Sequence, residues 1–327
     1  MRRALAALLL VLAGVAGWFA WRLQDRPGLE GWPRLAASGP LGGVHVRFLG
    51  VSSLVVSDGT TTLVTDGFAS RPSLWRTIAT RIAPDDTAVA YLLERAELRR
   101  AAAVFVVHSH YDHAMDAPLV ARRTGAVLVG SESTANVGRG LGVPEERLRV
   151  IEPGVAMRFG AFRVTCLRAR HFPHGMAMGE ITAPLVPPAR AVDYREGGSY
   201  SVLIEHPAGT LLVQGSAGWV DGALAGRRAD VALVGVAGLA TRDEEYTRRY
   251  LAEVVDAVGA RLVVPIHWDD FTRPLTEPFV PFPRLLDDLD LTLRRMEAHL
   301  AARGTPVAFL PAFAPVTVLP VPDVPAR

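Results

Sequence analysis

The densest chemistry in the chain sits in six consecutive residues, His108-Ser109-His110-Tyr111-Asp112-His113. Three imidazoles and a carboxylate in one short turn suit a transition metal. Neutral imidazole and carboxylate ligands fit Zn²⁺, with Fe²⁺ or Mn²⁺ as alternatives. In an extended turn, residues i and i+2 point the same way, so His108 and His110 can share one ion. Asp112 and His113 lie further round the bend and can reach a second. A bound divalent ion lowers the pKa of water from about 15.7 toward 7. Hydroxide generated in this way attacks a carbonyl or phosphoryl centre, and Asp112 can accept a hydrogen bond from the water and orient it. The chain has no Gly-x-Ser-x-Gly nucleophile motif, so a covalent serine route is not expected.

Ligands need a rigid scaffold, and they commonly sit on loops where strands end. Five polar sites in this sequence fit that rule. Asp66 closes the β-rich run TTTLVTD, and the histidine cluster follows the apolar run 101–107. His171 follows FRVTCLRAR, with His174 nearby. Gly215-Ser216 follows LLVQ, and His267 follows LVVPI. Between these sites the sequence predicts short strands from 44 to 66 and a helix near 87–99. A strand buried on both faces covers 101–107, a helix 115–124 and a strand 126–130. Three short strands are expected over 148–170 and a long loop over 171–198. A hairpin-like pair (199–205, 210–215) precedes an α/β unit from 229 to 268, with a helix over 243–258. An amphipathic helix spans 284–303, and the tail 311–327, with its five prolines, is expected to be extended or frayed. Two sheets with helices outside, in α/β/β/α layer order, fit this succession.

Residues 1–22 predict a membrane segment. Arg2 and Arg3 precede Ala4–Trp21, a run of 18 residues without a charge, roughly 27 Å long as a helix. Trp18 and Trp21 stand where an interfacial aromatic belt would lie, followed by Arg22. The basic end predicts an anchored chain with its remainder on the extracytoplasmic side. The rival is a cleaved signal peptide, with Gly14 and Ala16 as a weak cleavage site and a secreted product. Residues 23–43, rich in Pro and Gly, read as a linker.

Composition excludes several classes. Of 327 residues, 50% are hydrophobic and 21% charged, enough apolar residues for a sizeable core and against bulk disorder. Formal net charge is +2, and every basic residue is Arg, without a basic run, so no nucleic-acid partner is expected. The single Cys166 rules out an internal disulfide and a multi-cysteine metal site and reads as core. His45, His206 and His299 read as incidental. Trp75, Phe172, Trp268 and Phe271 are candidates to line a pocket.

The arrangement His-x-His-x-Asp-His after an apolar strand, with Asp66 upstream and His171 and His267 downstream, resembles the metallo-β-lactamase superfamily over roughly 44–310. Within it the chain looks most like the branch that includes ascorbate-phosphate lactonase and N-acyl phospholipase D. The resemblance implies an α+β, four-layer αββα sandwich, here preceded by the N-terminal transmembrane helix. It implies that His108, His110 and His171 hold a first metal, and Asp112, His113 and His267 a second. Asp66 matches an acidic residue that supports the site by hydrogen bonding. Most two-metal members carry a bridging Asp where this chain has Ser216, in Val213-Gln214-Gly215-Ser216-Ala217-Gly218. A neutral hydroxyl is a poor bridge, so the second ion should bind more weakly, with Ser216 beside the ligands and Asp269 or Asp270 as a substitute.

The expected function is hydrolysis of an ester, lactone, amide or phosphodiester, on a small-molecule or lipid-like substrate, with one or two Zn²⁺. Asp112 and His174 are the expected catalytic residues, His174 as proton donor or substrate contact. The alternatives are a membrane-tethered, non-catalytic binding protein with a degraded metal site, and an iron-binding redox member of the same fold.

Overall fold

The computed structural model describes residues 2–38 and 42–324, and within these the side chains of 2–8, 16 and 20 lie outside the description. Two sheets dominate. The seven-stranded sheet runs, in spatial order, through Val316–Leu319, Val44–Phe48, Leu54–Ser57, Thr62–Thr65, Ala103–Phe105, Val127–Gly130 and Leu148–Val150. The six-stranded sheet runs through Leu262–Ile266, Val231–Gly235, Gly209–Gln214, Ser199–His206, Phe162–Ala169 and Ala156–Phe159.

Alternation along the strands builds the layers. In Val44–Phe48, Leu54–Ser57 and Thr62–Thr65, Val44, Val46, Phe48, Leu54 and Val56 face the second sheet, while Val55 and Val64 face the outer helices. Period-2 side-chain alternation places these residues on opposite faces. Helices Asp86–Arg95 and Ala117–Thr124 cover the first sheet, with Val89, Leu92, Val120 and Ala121 in its outer core. Helices Glu244–Leu251 and Leu289–Ala301 cover the second, burying Tyr250, Leu251, Leu293 and Met296. The four-layer αββα order follows. Leu289–Ala301 starts five residues later than the periodicity suggests, because the Asp288 side chain accepts from the Leu291 N–H and caps it there.

Strand direction sets the site. Thr62–Thr65 and Ala103–Phe105 run parallel, as do Gly209–Gln214, Val231–Gly235 and Leu262–Ile266. Their C-terminal ends gather at one edge of the sandwich, which is where the sequence puts its polar sites.

The ends of the chain depart from expectation. The presumed linker buries Leu29, Trp32 and Leu35 in the main core, and the Leu35 N–H donates to the Phe309 carbonyl. The proline-rich tail supplies an edge strand, pairing Val44 with Leu319 and Val46 with Val316.

The expected transmembrane helix is overturned. Residues Arg2–Arg22 are helical, yet among the described residues no helix is long and apolar enough to cross a membrane. Met1 and the side chains of 2–8 lie outside the described residues. The membrane anchor and the extracytoplasmic placement built on it fall with the helix.

Candidate metal centre

Three of the expected ligands are presented by strand ends and three by the turn that follows the first of them. His108 follows Ala103–Phe105, His171 follows Phe162–Ala169 and His267 follows Leu262–Ile266. His110 precedes a single helical turn, Tyr111–Ala114, whose first carbonyl contact is Ala114 N–H on the His110 carbonyl. That turn swings Asp112 and His113 round toward His267.

The structure brings the six residues into two triads. One nitrogen from each of His108, His110 and His171 lies within 4.8 Å of the others. Asp112, His113 and His267 form a second triad on the same criterion. The two share a wall, since the rings of His108 and His113 stand 3.8 Å apart between centroids. The Asp112 carboxylate lies 3.5 Å from His113 Nε2 and 3.3 Å from His267 Nε2.

Hydrogen bonds fix which atom of each ring faces the site. His113 Nδ1 donates to Asp66 Oδ2 at 2.9 Å, leaving Nε2 free. His171 Nδ1 donates to the Phe172 carbonyl at 2.7 Å, and His110 Nε2 to the Ala177 carbonyl at 3.2 Å. Both ring nitrogens of His108, and Nδ1 of His267, are buried without a hydrogen-bond partner. Buried polar atoms are normally satisfied, so a cluster of orphaned imidazole nitrogens with outward-anchored partners is the pattern of a metal site. The donor set fits a divalent ion in each triad.

Electrostatics agree. Burial pushes the His108 pKa well below the usual imidazole range, His110 down to about 4 and His171 down to about 2. These rings are neutral near pH 7, as ligands must be. At His113 burial opposes charge, but the Asp112 and Asp66 carboxylates outweigh it and raise the pKa. At Asp112 burial favours the acid form, but His113 and His267 hold the carboxyl well below the usual carboxylate range. That corner favours a cation.

Asp66 is fully buried. Besides His113, it accepts from Ser52 Oγ at 2.6 Å and from the Val107 N–H at 2.9 Å. Ser216 Oγ accepts the Phe172 N–H at 2.9 Å, so it anchors the chain beside His171. Asp269 and Asp270 do not turn to the triads. Asp269 pairs with Arg71, and Asp270 with Arg26 and Thr272. His174 stacks near His110 and His171, with ring centroids 5.6 and 4.5 Å apart, and its Nδ1 accepts the Met176 N–H.

The triads floor a cavity of about 750 Å³. Its walls are Leu74, Ile78, Phe172, Met176, Phe271 and Leu286. Phe172 and Phe271 line it as expected. Trp268 instead stacks on Phe48 in the core, and Trp75 is 73% exposed. Cys166 is core, its thiol pushed up to about 12 by burial. His45, His206 and His299 meet Thr317, Asp58 and Asp256 away from the triads.

Sequence reasoning missed Ser52, Arg71 and Ala177. Backbone strain marks Arg71 and Ala177, but only in the folded chain. Seven non-glycine residues among those described have positive φ, and Val51, Asp66, Arg71, Ala177 and His267 lie at the site. Strain of this kind gathers at functional sites.

The sequence pattern of the beta-lactamase superfamily domain matches residues 80–268. The chain belongs to the metallo-β-lactamase superfamily. A UPF0173 metal-dependent hydrolase from Methanopyrus kandleri is 28% identical over 190 residues, 58% of this chain and 75% of that protein. In structure, the chain resembles a possible metal-dependent hydrolase from Veillonella parvula, with a TM-score of 0.51 and 15% identity over 85% of this chain and 100% of that one. It also resembles CmlA, a diiron β-hydroxylase from Streptomyces venezuelae, with a TM-score of 0.50 and 14% identity over 85% of this chain and 54% of that one. These structural likenesses concern the fold. At the level of the superfamily the chain is a metal-dependent hydrolase, and its relatives leave the metal's identity open.

Proposed function

We propose that this chain hydrolyses a neutral ester, lactone or amide carrying an apolar arm, with Zn²⁺ held in His108, His110 and His171 and a weaker ion in Asp112, His113 and His267. The observation that carries this reading is two complete ligand triads at the floor of a large, mainly apolar cavity. Complete triads also weigh against a non-catalytic binding protein. A bound divalent ion supplies an acidic water and polarises the scissile carbonyl. Asp112, set between His113 and His267, accepts a hydrogen bond from the attacking water and orients it. His174, neutral with Nδ1 occupied by the Met176 N–H, carries its proton on Nε2 and donates it to the leaving group. Phe172 and Phe271 exclude bulk water. The wall favours neutral substrates over phosphodiesters, because Arg190, the cation lining the cavity, is already paired with Asp193.

Elemental analysis and a chain-length series test this together. Purified protein should carry one to two transition metal ions per chain. Burial of a methylene is worth about 0.8 kcal/mol, so kcat/KM should rise about fourfold per methylene from 4-nitrophenyl acetate to the octanoate. Bis(4-nitrophenyl) phosphate should be the poorer substrate. Protein without bound transition metal sinks the reading; a flat chain-length series sinks the apolar arm.

Ser216 provides a separate check. Its hydroxyl is engaged by the Phe172 N–H and offers no charge to either ion. Affinity in such sites follows the number of charged ligands, so Ser216→Asp should tighten the second ion about tenfold or more. A carboxylate at 216 can still accept the Phe172 N–H. Cobalt titration followed by visible absorption measures this, and an unchanged second equivalent counts against the assigned geometry.

A further inference from the structure

A buried ion pair outside the cavity lining is linked to the second triad through His267. Arg71 Nη2 meets Asp269 Oδ2 at 2.6 Å, with the two side chains 1% and 0% exposed. The other carboxylate oxygen, Asp269 Oδ1, accepts the Val51 N–H at 2.7 Å. The Val51 carbonyl in turn accepts the His267 N–H at 2.6 Å. The chain of contacts therefore runs from Arg71 through Asp269 and Val51 to the backbone of His267.

Three members of this chain are held in a costly conformation. Val51, Arg71 and His267 have φ of 52, 40 and 56°, in the left-handed region that L-residues avoid, β-branched ones most of all. Such a conformation persists only where surrounding contacts over-determine it. Here the guanidinium also lies 4.6 Å over the Phe279 ring. Gly50 makes room for it: a Cβ there would come within 1.7 Å of Arg71 Nη2. A buried ion pair is a weak source of stability, and its better attested use is to specify one arrangement.

We propose that Arg71 and Asp269 are positioning residues, a strut that holds His267 in its left-handed conformation and so decides whether the second triad can take an ion. The proposal rests on the metal-site reading above. It assigns Asp269 a role different from that of a substitute ligand: it acts on the ion through the backbone of Val51 and His267. In the first triad, His110 and His171 have anchors of their own, the Ala177 and Phe172 carbonyls. The two sites should therefore respond differently.

The test is titration of the metal-free full chain with Co²⁺, read by visible absorption, beside circular dichroism for the fold. In Asp269→Asn and in Arg71→Lys the first equivalent should bind with unchanged affinity and spectrum. The second should weaken 10- to 100-fold, the range seen when an outer partner of a ligand is lost, with a shifted absorption band. Adding Asp269→Asn to His267→Ala should cause no further loss, since the strut acts through that residue. A folded variant that binds both equivalents as the parent does overturns the proposal. Equal weakening of both equivalents also overturns it. So does loss of fold in both strut variants while His267→Ala remains folded, because the pair would then serve the fold and not His267. A parent chain that takes up no Co²⁺ at all sinks the metal-site reading itself, which keeps the two failures apart.

Discussion

Replacing His110 with alanine should remove the first ion and lower kcat/KM by about 10³-fold or more. The ring is fixed at one end by the Ala177 carbonyl, leaving Nδ1 toward His108 and His171, whose ring centroids stand 4.8 and 4.5 Å away. Two imidazoles and solvent are a poor substitute for three converging ones. Lewis-acid assistance is worth several kcal/mol, and about 1.4 kcal/mol is a factor of ten in rate. The fold should tolerate the change. The one hydrogen bond lost is part-buried and goes to a loop carbonyl, a net cost of about 1 kcal/mol. Metal content by elemental analysis, kcat/KM and thermal unfolding on one preparation separate these effects. Unchanged activity would remove His110 from the machinery.

Asp66→Asn should cripple the second triad without unfolding the chain. The carboxylate accepts three hydrogen bonds, from Val107 N–H, Ser52 Oγ and His113 Nδ1. Asparagine keeps the shape and tolerates the left-handed φ of 55° at this position. Its amide cannot accept everywhere the carboxylate does. With the oxygen kept on the Val107 N–H, the NH₂ faces His113 Nδ1. The imidazole then moves its proton to Nε2, and the lone pair meant for an ion disappears. Second-ion affinity should fall 10- to 100-fold, with the first equivalent intact. Raising the pH should not restore it, because the fault is one of tautomer and not of charge. Asp66→Ala supplies the contrast. It removes the acceptor of three buried donors. Ser52 Oγ and His113 Nδ1, 2.9 Å apart, can still pair with each other, but the Val107 N–H is left without a partner at about 1–3 kcal/mol, so the thermal midpoint should drop below that of Asp66→Asn. Equal midpoints would show that the three hydrogen bonds carry no structural weight.

What could be read beforehand follows from how far the contacts reach. His108 to His113 lie in one turn, so their spacing alone announces a metal. Asp66, His171, Ser216 and His267 could be placed because each follows a β-rich run, and parallel strand ends share an edge. Ser52, Arg71 and Ala177 act through atoms that any sequence offers, a hydroxyl, a buried guanidinium and a backbone carbonyl. They are selected by tertiary approach. The cavity wall escaped for a similar reason: Leu74 and Ile78 sit on a six-residue helix without a buried residue, too short for periodicity to register. Asp269 was read as reaching for a metal because it neighbours His267. The left-handed turn at His267 sends it the other way. At the start of the chain, residue counting suggested a membrane span that the structure does not support, and Pro and Gly in 23–43 hid three core residues.

The edge strand Val316–Leu319 has a consequence for biogenesis. Val44–Phe48 is the first strand of the sheets to leave the ribosome, and one flank is soon covered by Leu54–Ser57. The other flank must wait for Val316–Leu319. At roughly 5–20 residues per second, that interval lasts from over ten seconds to nearly a minute. Throughout it, a buried-type apolar strand presents open backbone donors and acceptors, the template for pairing with a foreign chain. The strand Val44–Phe48 is thus sealed late, and the nascent chain is exposed to misassociation until Val316–Leu319 emerges.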